Sequence, residues 1–117
     1  MSEKKEILKY RLKLDIESHS IGTKPILVNV LGHVIEAILS ELRGISQQQL
    51  FEPIQIFLGP KNTCKVVVGS TDLEMKEWVQ AMFASTIRGF IETLKDLPQI
   101  PLKDAKIHIE FQKKQLN

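Results

Sequence analysis

Two segments of this chain carry more apolar surface than one face of a small sheet can absorb. That surplus limits the folds and assemblies open to it. At about 100° per residue, the segment Ile26–Leu42 lays Leu27, Val28, Leu31, Ile35, Ile38, Leu39 and Leu42 on one continuous arc. Ile26, Val30, Val34 and Ala37 widen it on the other side. The arc is roughly 220° across, interrupted by Glu41, whereas a helix buried on one side needs about 100° or somewhat more. The second segment carries Val79, Phe83, Ile87, Phe90, Ile91 and Leu94, joined by Met75, Trp78 and Met82. Its small residues Ala81, Ser85 and Gly89 recur every four positions, a shallow row that lets another helix approach closely. Packing one flank on a sheet and the next on the neighbouring helix uses about 160° of such an arc. The remainder predicts a subunit that buries a second surface against another copy or a protein partner, most simply in a twofold dimer. Ile26, Val30, Trp78, Phe83, Ile87 and Ile91 are the candidate interface residues.

The strands are read from period-two alternation. Leu8, Tyr10, Leu12, Leu14 and Ile16 alternate with Lys9, Arg11, Lys13, Asp15 and Glu17, which predicts a half-buried strand with one charged face. Ile54–Leu58 and Cys64–Val68 flank the turn residues Gly59-Pro60-Lys61-Asn62, a hairpin pattern. Ile107, Ile109 and Phe111 alternate with Lys106, His108 and Glu110. The expected strands span about 7–17, 54–59, 63–69 and 105–111, and the expected helices about 24–43 and 71–95. Thr23 and Pro25 mark the start of the first helix, and Thr71-Asp72-Leu73-Glu74 reads as a capping box opening the second. Leu97–Pro101 is expected to be extended loop. The order β-α-β-β-α-β predicts an α+β, ferredoxin-like fold: a four-stranded antiparallel sheet with both helices on one face. It is read as one domain over 1–117, with polar tails at about 1–6 and 112–117.

The composition suits a globular chain of 117 residues, 43% hydrophobic and 26% charged. A net charge of +2 is too small to make nucleic acid the default partner. The lone Cys64 excludes an internal disulfide framework and favours a reducing compartment. Its alternation with Val66 and Val68 points it into the core. Asn29, Gly32, His33 and Glu36 break the longest apolar run, so no membrane span is expected. No apolar stretch follows the polar start Met1–Lys5, and a cytoplasmic location is the expectation.

The most suggestive constellation is Ser18–Lys24, between a strand and a helix start. There, free backbone N–H groups and the helix dipole suit an anion. It lacks the glycine and Gly-Lys-Ser/Thr order of a phosphate-binding P-loop. The ferredoxin-like order sets the first and third strands side by side, bringing Gly69-Ser70-Thr71 to the same crevice. The candidate ligand residues are therefore His19, Ser20, Gly22, Thr23, Lys24, Ser70 and Thr71, for a small phosphate or carboxylate. His19, His33 and His108 have no metal-ligand spacing, with His33 on the polar stripe of the first helix and His108 on the wet face of an outer strand. No catalytic set, metal site or cofactor site is identified. Lys9, Arg11, Lys13, Lys65 and Lys106 on the open sheet face could contact RNA phosphates, but Asp15, Glu17 and Glu110 share that face, and Phe57 is the only outward strand residue able to stack a base. Three readings follow, in order: a non-enzymatic oligomeric interaction subunit, a small-anion-binding protein, and an RNA-binding domain.

Overall fold

The computed structural model of the protein describes residues 8–94 and 105–115. The elements are β1 (Tyr10–Ile16), β2 (His19–Ile21), α1 (Pro25–Glu41), β3 (Ile54–Gly59), β4 (Thr63–Val68), β5 (Thr71–Leu73), α2 (Glu77–Ile91) and β6 (Ile107–Lys113). The expected N-terminal tail, the proline-containing loop at 97–101 and the last residue assigned to the second helix lie outside the described residues. Part of the expected C-terminal tail, Gln112 and Lys113, is instead the end of β6.

The architecture is α+β, but the sheet corrects the ferredoxin-like expectation. Among the described residues it has six strands, all antiparallel, in the order β2-β1-β6-β3-β4-β5. The physical reason lies in two short hairpins. Glu17 and Ser18 both take positive φ, 49° and 66°, and turn β1 directly into β2 with Ile16 paired to His19. Two positive-φ residues in a two-residue loop match the twist of an antiparallel hairpin. Gly69, at φ 61°, occupies the first loop position between Val68 and Thr71 and does the same for β4 and β5. Short loops close at little entropic cost. Once β4 is flanked by its chain neighbours β3 and β5, it has no free side for β1. β1 keeps β6 on one side and takes β2 on the other, and β6, expected at an edge, becomes central between β1 and β3. The supposed capping box at Thr71 is strand, and α2 begins at Glu77 with Lys76 as its N-cap.

α1 packs over β1, and α2 over β4. Alternate strand residues meet them: Tyr10, Leu14 and Ile16 from β1, Ile54, Ile56 and Leu58 from β3, Val66 and Val68 from β4, and Ile107, Ile109 and Phe111 from β6 are all buried. Leu31, Ile35 and Leu39 close the core from α1. So do Phe83, Ala84, Ile87 and Ile91 from α2. Arg88 lies at the margin of this layer and donates from Nη2 to the carbonyl of Gly59 at 2.8 Å, tying α2 to the end of β3.

Candidate functional site

The seven residues expected to bind a ligand do not share a crevice. His19 and Ser20 stand exposed on β2 at one edge of the sheet, followed by Gly22, Thr23 and Lys24. Ser70 and Thr71 are exposed at the other edge, beside and on β5. Five interstrand steps separate these edges, about 24 Å at the usual strand spacing. The α1 N-cap is Lys24, with no side-chain cap bond.

The candidate interface residues divide into two groups. Phe83, Ile87 and Ile91 are fully buried against the sheet, because six strands cover more helix surface than four. Ile26, Val30 and Trp78 stand in the open, with Trp78 66% exposed and Ile26 64%. Ile26 and Val30 belong to the side of the α1 arc that exceeds what a sheet-packed helix needs. Met82, one turn after Trp78, is also exposed. Between the C-terminal half of α1 and the start of α2 runs a groove of about 550 Å³. Ile38, Leu42, Met75, Trp78, Val79 and Met82 line it, and its charged lining residues are Glu41, Glu74, Arg43 and Lys76.

On the adjoining flank of α1 is a polar constellation that no sequence pattern assembles. Tyr10 lies flat against the helix at Gly32, where an added Cβ would stand 2.3 Å from its Cδ2. Its ring stacks on Phe111 at 5.4 Å and meets the edge of His33 at 5.2 Å. The Tyr10 hydroxyl donates to Glu36 Oε1 and sits 2.9 Å from His33 Nδ1. Lys113 Nζ donates to Glu36 Oε2 at 2.7 Å and lies 5.5 Å over the Phe51 ring. Burial pushes the Glu36 pKa up, but the hydrogen bonds from Lys113 and Tyr10 outweigh it and hold the carboxyl below its ordinary range. Burial first, then the Glu36 carboxylate, drives the Tyr10 phenol well above its ordinary value. Two signals point here: a glycine inside a helical pattern, and the one tyrosine among inward-facing leucines, whose hydroxyl needs a partner.

The open face of the sheet carries a row that runs across strands. Asp15 faces His108, and His108 faces Phe57, which in turn faces Lys65. His108 Nδ1 is 3.7 Å from Asp15, its Nε2 is 3.2 Å from Gln55 Oε1, and its ring stacks on Phe57 at 4.7 Å. Nε2 is thus within hydrogen-bond distance of Gln55, and the Asp15 carboxylate makes a longer ion-pair contact on the Nδ1 side. Lys13 faces Glu110, and Lys65 is 3.6 Å from Asp72, so acids interrupt the expected basic track. Cys64 is buried, and desolvation pushes its thiol up to about 12, far from a reactive thiolate. No group of three or more His, Cys, Asp or Glu side chains able to hold a metal occurs among the described residues. Among them, no helix is long and apolar enough to cross a membrane.

No family model, curated protein or solved structure matches this chain.

Proposed function

We propose that this chain is a non-enzymatic interaction subunit that pairs with a second copy of itself through its helical layer. The supporting observation is the apolar groove between α1 and α2 with Trp78 standing 66% exposed at it. Trp78 and Met82 stand exposed at the groove, and Ile26 and Val30 stand exposed on the first half of α1, apolar surface that a second copy would cover. A twofold interface lays one patch against the same patch, so a rim of one sign repels itself. Here the charged lining holds two acids, Glu41 and Glu74, and two bases, Arg43 and Lys76, and such a rim can complement its own copy. The sheet edges favour this use of the helices. β2 and β5 are three-residue strands, too short to template a long strand addition.

Trp78 is the only tryptophan of the chain and reports directly on the groove. On dilution from about 100 μM to about 1 μM, its emission should move to longer wavelength as the dimer separates and water returns. Emission that stays at long wavelength throughout, with a monomer mass by light scattering, refutes the reading.

A further inference from the structure

The Tyr10–His33–Glu36–Lys113 constellation fixes the proton of a histidine. A tyrosine hydroxyl has one hydrogen. Glu36 is held as a carboxylate by Lys113 at 2.7 Å, so it can only accept, and the Tyr10 hydrogen points to it. The Tyr10 oxygen therefore accepts, and the group 2.9 Å away that must donate is His33 Nδ1–H. In the neutral ring this leaves the lone pair on Nε2, which has no partner among the described residues. His108 differs in this respect, since its Nε2 is 3.2 Å from Gln55 Oε1.

His33 lies in a cleft of about 510 Å³ with Lys9, Lys113, Lys114 and Ser40, and His33 itself is exposed. Three lysines against one carboxylate leave the cleft positive after Glu36 is matched by Lys113. A small anion would meet cations here. An oxyanion that also carries a hydroxyl would donate to the waiting Nε2. The geometry points to a binding site for phosphate-class oxyanions, in which Lys9 and Lys114 neutralise charge and His33 Nε2 accepts the P–O–H hydrogen. Tyr10 and Glu36 are positioning residues that hold the His33 tautomer. Ala37 borders both this cleft and the apolar groove, so the two surfaces sit on adjacent flanks of α1.

Sulfate supplies the discriminating probe, because at about pH 8 it has the shape and charge of hydrogen phosphate without the hydroxyl. The experiment is a titration of the full chain at about pH 8, above the ordinary histidine range, with inorganic phosphate and with sulfate. Long-range ¹H–¹⁵N spectra of the imidazole nitrogens read out the result. His33 should show a protonated Nδ1 and a bare Nε2, and phosphate should shift Nε2 with at least about tenfold preference over sulfate. Tyr10→Phe, which keeps the ring packing, should release the tautomer and erase the preference. Lys114→Gln, at the cleft wall, should weaken both anions equally while leaving the tautomer unchanged. A proton on Nε2 in the wild-type chain, an equal response to the two anions, or no shift at about 20 mM phosphate would each overturn the proposal.

Discussion

Replacing Gly32 by alanine should unfold this protein at a lower temperature, although the same change in an ordinary helix does the opposite. Glycine inside a helix is worse than alanine by about 0.8–1 kcal/mol, so an unobstructed site gains roughly that much. At Gly32 the new Cβ would stand 2.3, 2.6 and 2.8 Å from three atoms of the Tyr10 ring. Carbon atoms rest at about 3.5–4.0 Å, so the ring must retreat by roughly an ångström or more. Phe111 blocks it on its stacked face, and its hydroxyl is held by Glu36 and His33. Overpacking of this kind costs about 1–3 kcal/mol. Losing a hydrogen bond to a charged group costs about 1.5–3 kcal/mol more. After the helix gain is subtracted, Gly32→Ala should destabilise by about 1.5–5 kcal/mol, a fall in Tm of about 6–20 °C for a domain of this size. Gly89 is the internal control, with nothing within 4 Å of the place an added Cβ would take. Gly89→Ala should stabilise by about 1 kcal/mol. Thermal and urea denaturation of the two variants side by side gives the answer. A Gly32→Ala protein as stable as the parent would show that Tyr10 does not lie against the helix, and the His33 relay would lose its geometry with it.

Glu36 has a depressed pKa in the folded chain, so the stability it contributes is full above the unfolded value of about 4.3 and is lost as pH falls through the folded value below it. Glu36→Gln should therefore flatten the acid limb of the stability profile below about pH 4.3, and an unchanged slope would contradict the network. Ser18 sits at φ 66° in the β1–β2 turn, where a side chain is strained, so Ser18→Gly should raise stability by about 1 kcal/mol in urea melts. A loss of stability would argue against that turn. The Cys64 thiol, pushed up to about 12 by burial, should resist iodoacetamide at pH 8 in the folded protein and react promptly in denaturant. Equal rates in the two states would place it at the surface.

The long elements were legible because their side-chain periods are strong. Alternation at Tyr10–Ile16 and Ile107–Phe111 marked β1 and β6, and the wide apolar arcs marked both helices. Of the thirteen core residues these patterns predict, Leu14, Leu31, Ile35, Ile56, Val66, Val68, Phe83, Ile107 and Ile109 are buried, whereas Leu12, Ile38, Val79 and Phe90 are only half-buried. The strand order was not legible, because it turns on β2 and β5. Each has three residues, too few to show a period, and Glu17-Ser18 lacks the Asn-Gly chemistry that usually announces such a hairpin. Part of the wide α1 arc remains exposed, at Ile26 and Val30. In α2 the width of the arc pointed to Phe83, Ile87 and Ile91, which the wider sheet takes for itself. The Tyr10 network joins residues 26 and 77 positions apart along the chain. No local pattern brings Glu36 to Lys113. Only the placement of β6 beside β1 does so.

Self-association through the helical layer is tested most directly by sedimentation equilibrium of the wild-type chain and of Trp78→Asp over a range of concentrations. The wild-type data should fit a monomer–dimer equilibrium built on the 13.4 kDa subunit. Trp78 is 66% exposed in the single subunit, so the aspartate should leave folding intact, with the same circular dichroism, yet sediment as a monomer throughout. A wild-type chain that remains a single 13.4 kDa species at about 500 μM, or a Trp78→Asp chain that dimerises as well as the parent, would contradict pairing through this surface.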